Sequence, residues 1–347
     1  MASREDIVVV TINYRLTTLG ILAIPRTNIT GNYGIQDQIT ALQWVINNIA
    51  AFGGDASQII IEGSSAGAGS VRVLLGSPPA IGKYQGAIAQ SNLGGGVDLG
   101  LTGTHTDVLL TMRYMLMPSS DLGNYGTSYS SYLTVNQSYT IAGQNIFHEA
   151  GCNQTSLDAQ IACLTLVDPL TLVALHDVAN KVVQDGYIVN TEQLIVSAKN
   201  ASTAHVPVIF GTARDDGAAF TTYPKGVNVT SEVQGIMLEL GISQFYAQSI
   251  IDSGLFPYYD TGNVTLDSFN VSQRVITDNM FRCVDEATVY AGAVTGAFER
   301  AYYYTSERTQ LGYDPNRLGG PPVTPGYPYG GSAEHRVSFN LILTDHR

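Results

Sequence analysis

Short runs of β-branched residues alternate with helix-periodic stretches in the first 75 residues of the chain. The apolar run at 7–12 predicts a strand that is buried on both faces of a parallel sheet. At 34–52 apolar side chains recur at spacings of three and four, and a pair of glycines follows, which predicts an amphipathic helix. A second buried strand is predicted at 59–61, and the apolar stretch that ends at residue 75 predicts another helix. This order of elements is typical of α/β proteins.

The rest of the chain adds strands without any sign of a second domain. Further apolar runs predict strands at 87–89, 206–210 and 301–305. A stretch rich in Gly, Pro and Tyr at 311–331 predicts a long loop. Because neither an internal repeat nor a low-complexity linker occurs, we expect residues 1–347 to form a single domain.

Composition narrows the classes of function. Hydrophobic residues make up 44% of the chain and charged residues 13%, which is typical of a compact globular protein. The net charge of −12 has the wrong sign for binding phosphate groups, so we expect no nucleic-acid partner and no polybasic membrane binding. Because no run of 18 apolar residues occurs, we also expect no transmembrane segment.

Asn-x-Ser/Thr sequons are more frequent than residue frequencies alone would give, which is about two or three. The seven sequons lie at Asn28, Asn136, Asn153, Asn200, Asn228, Asn263 and Asn270. The apolar run near the start of the chain is too short for the core of a secretory signal. The excess of sequons still favours a secreted, extracellular glycoprotein.

The candidate nucleophile is Ser65, because residues 63–67 match the pattern G-x-S-x-G. A nucleophile elbow needs a buried strand before it, a helix after it, and small residues two positions either side of the serine, here Gly63 and Gly67. The N–H of Ala66 would then donate to an oxyanion at the start of the helix. The alternative is an ordinary turn rich in Gly and Ser.

A serine nucleophile needs a base and an acid that orients the base, and in α/β hydrolases the chain order is Ser, acid, His. Asp215 and Asp216 follow the predicted strand at 206–210, which places an acid at the same edge of the sheet as Ser65. Only His335 and His346 follow that acid. We expect no metal and no cofactor, because no cluster of His, Cys and carboxylate residues has metal-ligand spacing.

The segments around these residues resemble the type-B carboxylesterases, the family of cholinesterases and large fungal lipases. The upstream match consists of segments 13–15, 31–38, 41–45, 48–49, 52–55 and 63–67. The downstream match consists of segments 185–186, 206–211 and 215–217. The resemblance runs from about residue 7 to about residue 330. It implies an α/β-hydrolase fold with a mostly parallel central sheet and helices on both faces.

Residue by residue, the resemblance implies Ser65 as the nucleophile and Asp216 as the triad acid, where the family more often has Glu. Ser64 stands where the family commonly has a second Glu. Cys152 and Cys163 resemble one of the family's short disulfide loops, and their spacing suits a small closed loop.

At both ends the sequence departs from the family pattern. The Gly-Gly pair that completes the family's oxyanion hole lies upstream of the segment at 13–15, and no counterpart precedes that segment here. The segment around His335, which we take as the base, matches the family's His segment poorly. We therefore expect a domain that is incomplete at both termini.

These features together favour a serine carboxylic ester hydrolase that acts through an acyl-enzyme on Ser65. The alternative is a non-catalytic cholinesterase-like protein for binding or adhesion, or an inactive fragment. The expected partner is a small-molecule or lipid ester. Its identity and the oligomeric state are left open by the sequence.

Overall fold

A computed structural model describes residues 7–92, 97–98, 132–199, 202–221, 223–224, 226–256, 260–307 and 341–346. The strands are β1 (Ile7–Thr11), β2 (Gly54–Ser64), β3 (Gly86–Gln90), β4 (Val97–Asp98), β5 (Leu133–Thr134), β6 (Val183–Gln184), β7 (Leu194–Ile195), β8 (Val208–Ala213), β9 (Ala301–Ser306) and β10 (Leu341–His346).

The α-helices are α1 (Thr17–Ile21), α2 (Tyr33–Asn48), α3 (Ala66–Leu75), α4 (Val135–Ser138), α5 (Gln144–Glu149), α6 (Leu157–Leu164), α7 (Pro169–Val173), α8 (Glu232–Leu240), α9 (Gln244–Asp252), α10 (Val264–Thr277) and α11 (Cys283–Thr295). Two 3-10 turns lie at Ile49–Phe52 and Asp216–Phe220, and two π-helical turns lie at Tyr139–Gly143 and Asp278–Arg282.

The central sheet has six strands in the order β1-β10-β2-β3-β8-β9. The four strands from β2 to β9 in this order are parallel to one another, whereas β10 runs antiparallel to both of its neighbours. The strands predicted at 59–61, 87–89, 206–210 and 301–305 are therefore confirmed, each with shifted ends. Since the carboxyl ends of parallel strands meet at one edge, the loops that follow β2, β3 and β8 lie side by side.

The prediction that the first strand is buried on both faces of a parallel sheet is wrong. Among the described strands β1 lies at the edge of the sheet and pairs with β10 alone, in antiparallel register, and its residues are half-buried or exposed. A β-branched run suits any strand that packs an apolar face, so the run alone does not separate an edge strand from a central one.

Helix α2 confirms the helix predicted from the spacing of apolar residues. Its buried residues include Ile35, Ile39 and Leu42, one turn apart along a single face. The 3-10 turn at Ile49–Phe52 extends the helix, and Gly53 at a φ of 84° ends it. The chain then enters β2.

The main core lies on one face of the central sheet. Alternate side chains of the strands, such as Ile59, Ala89 and Phe210, pack there with apolar residues of α2, α3 and α11. The neighbouring side chains point to the opposite face, where Ile209 and Tyr302 keep 36% and 54% of their surface exposed. The described helices therefore cover mainly one face of the sheet.

Two smaller cores lie outside the sheet. Apolar residues of α8, α9, α10 and the π-helical turn Asp278–Arg282 form a second cluster around Ile236 and Phe281. A third cluster is closed by the disulfide between Cys152 and Cys163, whose Cα atoms are 5.6 Å apart, as the resemblance implies. Cys283 is buried at the start of α11. The loop predicted at 311–331 lies outside the described residues.

Candidate active site

Ser65 occupies a strained turn between the end of β2 and the start of α3. Its φ is 55° and its ψ is −121°, a conformation that costs a non-glycine residue roughly 1–3 kcal/mol. Backbone bonds hold it there, because its N–H donates to the carbonyl of Gln90 at 2.9 Å and its carbonyl accepts from the N–H of Gly69 at 3.0 Å. Gly63 and Gly67 are buried on either side. This is the geometry that an elbow motif needs.

Ser65 lies at the carboxyl edge of the sheet, directly after β2. Ser65 keeps 8% of its surface exposed and its hydroxyl does not cap the helix that follows. Ala66 is the first residue of α3 and is exposed. Because the first N–H groups of a helix have no intrahelical acceptor, the N–H of Ala66 can donate to a ligand. Ser64 is buried below the turn, which leaves it no access to substrate. The helix dipole and the Ala66 amide favour a negative charge beside Ser65.

Asp216 begins the 3-10 turn that follows β8, two strands away from Ser65 in the sheet. It is fully buried, and both of its carboxylate oxygens accept hydrogen bonds. The backbone N–H of Ala213 donates to Oδ2 at 2.7 Å, and the hydroxyl of Ser91 donates to Oδ1 at 2.9 Å. These two hydrogen bonds fix the orientation of the carboxylate.

Gly217 fixes the same turn against helix α10. Its N–H donates to the hydroxyl of Thr277 at 2.8 Å. A Cβ atom at this position would lie 2.2 Å from the carbonyl oxygen of Gln273 and 2.5 Å from the backbone nitrogen of Thr277. Only glycine fits between the turn and the helix, so this close contact sets the position of Asp216.

Asp215 has a different role from its neighbour. Its Oδ2 accepts from Nε of Arg214 at 2.9 Å and from Nη2 of Arg214 at 2.8 Å, and both side chains are buried. Arg282 in turn donates to the backbone carbonyl of Arg214 at 3.1 Å. Asp215 is therefore committed to a buried ion pair, which favours Asp216 as the acid of a triad.

The end of β3 connects the two candidates. Gln90 accepts the N–H of Ser65, and the next residue, Ser91, donates its N–H to Gly211 at 2.6 Å and its hydroxyl to Asp216. Ser91 also has a positive φ of 51°. Sequence reasoning missed Ser91. The signal that points to it is a polar pair directly after the predicted strand at 87–89, at the edge where Ser65 lies.

The candidate base, His335, lies outside the described residues. The other histidine that follows the acid, His346, ends β10 and pairs with Gly54 at the start of β2. β2 runs from Gly54 to Ser64, so His346 lies at the end of the sheet opposite Ser65. Of the earlier histidines, His205 contacts the carbonyl of Ala297 through Nδ1 at 3.2 Å. The strand register therefore excludes His346 as the base of a triad with Ser65.

One group of possible metal ligands occurs in the part of the chain that the structure describes. Side-chain ligand atoms of Glu149, His176 and Asp177 lie within 4.8 Å of one another near the surface. The group is already bonded internally, since the N–H of Asp177 donates to Glu149 at 3.1 Å and Asn145 donates to Asp177 at 2.7 Å. None of these residues belongs to the elbow or the acid turn.

Comparison with known proteins gives a match to the "Carboxylesterase family" over residues 1–95, the segment that contains β1, β2, the elbow and β3. Over residues 1–95 the chain is similar to carboxylesterases. The resemblance to type-B carboxylesterases is thereby confirmed. The fold is the α/β-hydrolase fold of that family.

Identity to individual relatives is higher over short alignments than over a long one. Juvenile hormone esterase of Tribolium castaneum is 46% identical over 95 residues, which are 27% of this chain and 16% of that protein. Neuroligin-2 of Mus musculus is 50% identical over 91 residues, 26% of this chain and 11% of that protein. A crystal protein of Dictyostelium discoideum is 26% identical over 297 residues, 81% of this chain and 45% of that protein. The aligned region is thus less than half the length of each of these relatives.

The helices give one further finding. Among the helices that the structure describes, none combines the length and apolar character needed to cross a bilayer.

Proposed function

We propose that this chain is part of a serine carboxylic ester hydrolase with Ser65 as nucleophile and Asp216 as the acid of the triad. One observation carries the proposal. The residues that end β3 bond to both candidates, the backbone of Ser65 on one side and the carboxylate of Asp216 on the other. An imidazole placed at this edge between them would meet a hydroxyl and an ionised, immobile acid.

The reaction would follow the acyl-enzyme route. The hydroxyl oxygen of Ser65 attacks the ester carbonyl and forms a C–O bond, while its proton passes to the imidazole of the base. The N–H of Ala66 donates to the oxyanion that develops on the carbonyl oxygen. The C–O bond to the alcohol then breaks, and the alcohol takes the proton from the imidazole. Water then attacks the acyl-serine carbonyl while the imidazole takes its proton. The bond between the acyl carbon and the Ser65 oxygen breaks, and that oxygen takes the proton back from the imidazole.

His335 is our candidate for the base. β10 begins at Leu341, which pairs with Glu62 only three residues before Ser65. The backbone therefore enters β10 at the end of the sheet that carries the elbow, and His335 precedes that entry by six residues. Six residues span roughly 20 Å when extended, which is long enough to reach from Leu341 past the end of β2 to the elbow.

The alternative is a carboxylesterase-like protein that keeps the fold for binding or adhesion without catalysis. One observation favours it, because two of the similar proteins are not named as hydrolases. Neuroligin-2 matches 26% of this chain and the crystal protein matches 81%. The two functions differ in one property of a single side chain. A hydrolase has an activated Ser65, and a binding protein does not.

A fluorophosphonate probe tests the proposal, since it reacts only with an activated serine. We expect stoichiometric labelling of the protein, loss of labelling in Ser65→Ala, and unchanged labelling in the matched control Ser64→Ala. Hydrolysis of a short-chain nitrophenyl ester should follow the same order. Absence of labelling in the folded parent protein, or labelling of Ser64, would exclude this catalytic assignment.

We also propose that the protein is secreted and carries N-linked glycans. The sequon asparagines Asn28, Asn136, Asn153, Asn228 and Asn263 are exposed, whereas Asn270 is buried in α10. A glycan needs solvent, so we expect modification of the exposed sites and none at Asn270. Mass spectrometry of peptides from protein secreted by eukaryotic cells measures this. Modification of Asn270 in folded protein, or of no site at all, would contradict the proposal.

A further inference from the structure

A second buried carboxyl lies close to Asp216 and has no part in the proposed triad. Asp285, in the first turn of α11, is fully buried. Its Oδ1 accepts from Nδ2 of Asn92 at 2.8 Å. Its Oδ2 has no hydrogen-bond partner among the described residues. A bare, buried carboxylate oxygen is costly, so the neutral acid is the favoured form of Asp285.

The titratable groups that interact with Asp285 come from three different elements. They are Asp216 of the 3-10 turn, Tyr303 of β9 and Arg72 of α3. Burial, foremost, and the negative charge of Asp216 raise the pKa of Asp285 well above its ordinary range, while Asn92 and Arg72 oppose the rise.

The two carboxyls are joined through adjacent residues of one loop. Ser91 donates to Asp216 at 2.9 Å, and the next residue, Asn92, donates to Asp285 at 2.8 Å. Asn92 is fully buried, so loss of the acceptor at Asp285 removes one of the contacts that hold its side-chain amide in place. A shift of Asn92 would carry the Ser91 hydroxyl with it, because the two residues share a peptide bond.

We propose that Asp285 is a positioning residue: it holds Asn92, and through the Ser91–Asn92 pair it keeps the Ser91 hydroxyl on Asp216. This extends the proposed function and rests on it for the role of Asp216. As a neutral acid, Asp285 gives this support without placing a second negative charge beside the triad. Arg72 bonds to Thr288, one turn further along α11, at 3.0 Å and ties the same helix to the elbow helix α3.

The activity test compares two substitutions of the same residue. Asp285→Asn keeps an oxygen that can accept from Asn92, so we expect kcat and the rate of fluorophosphonate labelling to stay within about threefold of the parent. Asp285→Leu has a similar volume and no acceptor, and should lower both by 10-fold to 100-fold with little change in KM. Ionised Asp285 would place a second negative charge beside the triad, so we expect kcat of the parent to fall at alkaline pH. This fall should be absent from Asp285→Asn, which stays neutral. Glu239→Gln, another buried carboxyl, is the control and should leave labelling unchanged.

A second measurement does not depend on activity. In a double-mutant cycle of Ser91→Ala and Asp285→Leu, the urea midpoint is measured for the parent, both single variants and the double variant. We expect the shift caused by Ser91→Ala to be clearly smaller when Asp285→Leu is already present. Additive shifts would overturn the proposal whether or not the protein is an esterase. Parental labelling by Asp285→Leu, in a protein that loses labelling on Ser65→Ala, would also overturn it and leave the proposed function standing.

Discussion

The elbow and the acid turn both place a reactive side chain at the carboxyl edge of the sheet, but they are built differently. Ser65 is held by backbone hydrogen bonds to Gln90 and Gly69, in a strained conformation between small residues. Asp216 is held by the nearby backbone N–H of Ala213 and also by side chains from distant parts of the chain, Ser91 and, through Gly217, Thr277. A local motif can encode the first arrangement, whereas the second depends on tertiary packing.

The largest effect should separate the two adjacent acids of the turn. Asp216→Asn removes the charge that orients and stabilises the base, so we expect ester hydrolysis to fall by about 10³–10⁴-fold. Asp215→Asn should change turnover far less, because Asp215 is paired with Arg214. It should instead lower stability, since the buried Arg214 loses the carboxylate that lies 2.8 Å from its guanidinium. Steady-state kinetics and urea unfolding of both variants measure this, and equal losses of turnover would refute the assignment.

The next effect tests the close contact beneath the acid turn. In Gly217→Ala the added methyl would meet backbone atoms of Gln273 and Thr277. Because backbone cannot move aside cheaply, we expect a loss of about 3 kcal/mol in the free energy of unfolding. Gly86→Ala is the control, since the nearest atom to its Cβ would be 3.5 Å away, on a side chain of Ile60. Similar stability of the two variants would show that the turn is looser than described.

A pH dependence of stability should arise where α8 packs against α10, the helix that contacts the acid turn. Glu239 is buried in α8 and accepts from Ser268 at 2.8 Å and from Ser272 at 2.7 Å, both on α10. Burial, partly offset by these bonds, raises the pKa of Glu239 from 4.5 to about 7. The folded state therefore prefers protonated Glu239, and this contribution is complete below about pH 4.5 and is lost as the pH rises through about 7.

The pH effect on stability should amount to a few kcal/mol and should disappear in Glu239→Gln, which is neutral throughout. Urea unfolding between about pH 5 and pH 9 measures it, with Tyr223, the other titratable group that interacts with Glu239, left in place. A parent and a Gln variant that lose stability in parallel would assign the pH dependence to other groups.

The smallest effect concerns the bond between Ser91 and Asp216. Ser91→Ala removes one charge-assisted hydrogen bond, so we expect a loss of about 1.5 kcal/mol in stability and roughly tenfold in kcat. Ser57→Ala is the comparison, because Ser57 donates to Asp55 on the exposed surface at 2.8 Å. If both variants behave like the parent, the side-chain cradle around Asp216 contributes little, and the two regions are more alike than the structure indicates.

Sequence reasoning succeeded where local pattern decides the structure. The apolar spacing of α2, the strands β2, β3, β8 and β9 and the glycines around Ser65 were readable from short segments, whereas β10 was not predicted. It was wrong for β1, because the β-branched run at its position does not reveal which strand pairs with it. It missed Ser91 and Asp285, since their partners lie 125 and 193 residues away in the chain. Contacts of that range depend on the whole fold.

The position of β10 has a consequence for how the chain folds. β10 lies between β1 and β2, so Val8 pairs with Thr344 and β1 joins the sheet only through β10. During synthesis β1 leaves the ribosome long before β10 and stays without its partner until β10 has been made. Pairing of such long range slows folding, and an unpaired apolar edge invites association with other chains. We therefore expect completion of the sheet to be a late event in folding, with the apolar edge of β1 open to association with other chains until then.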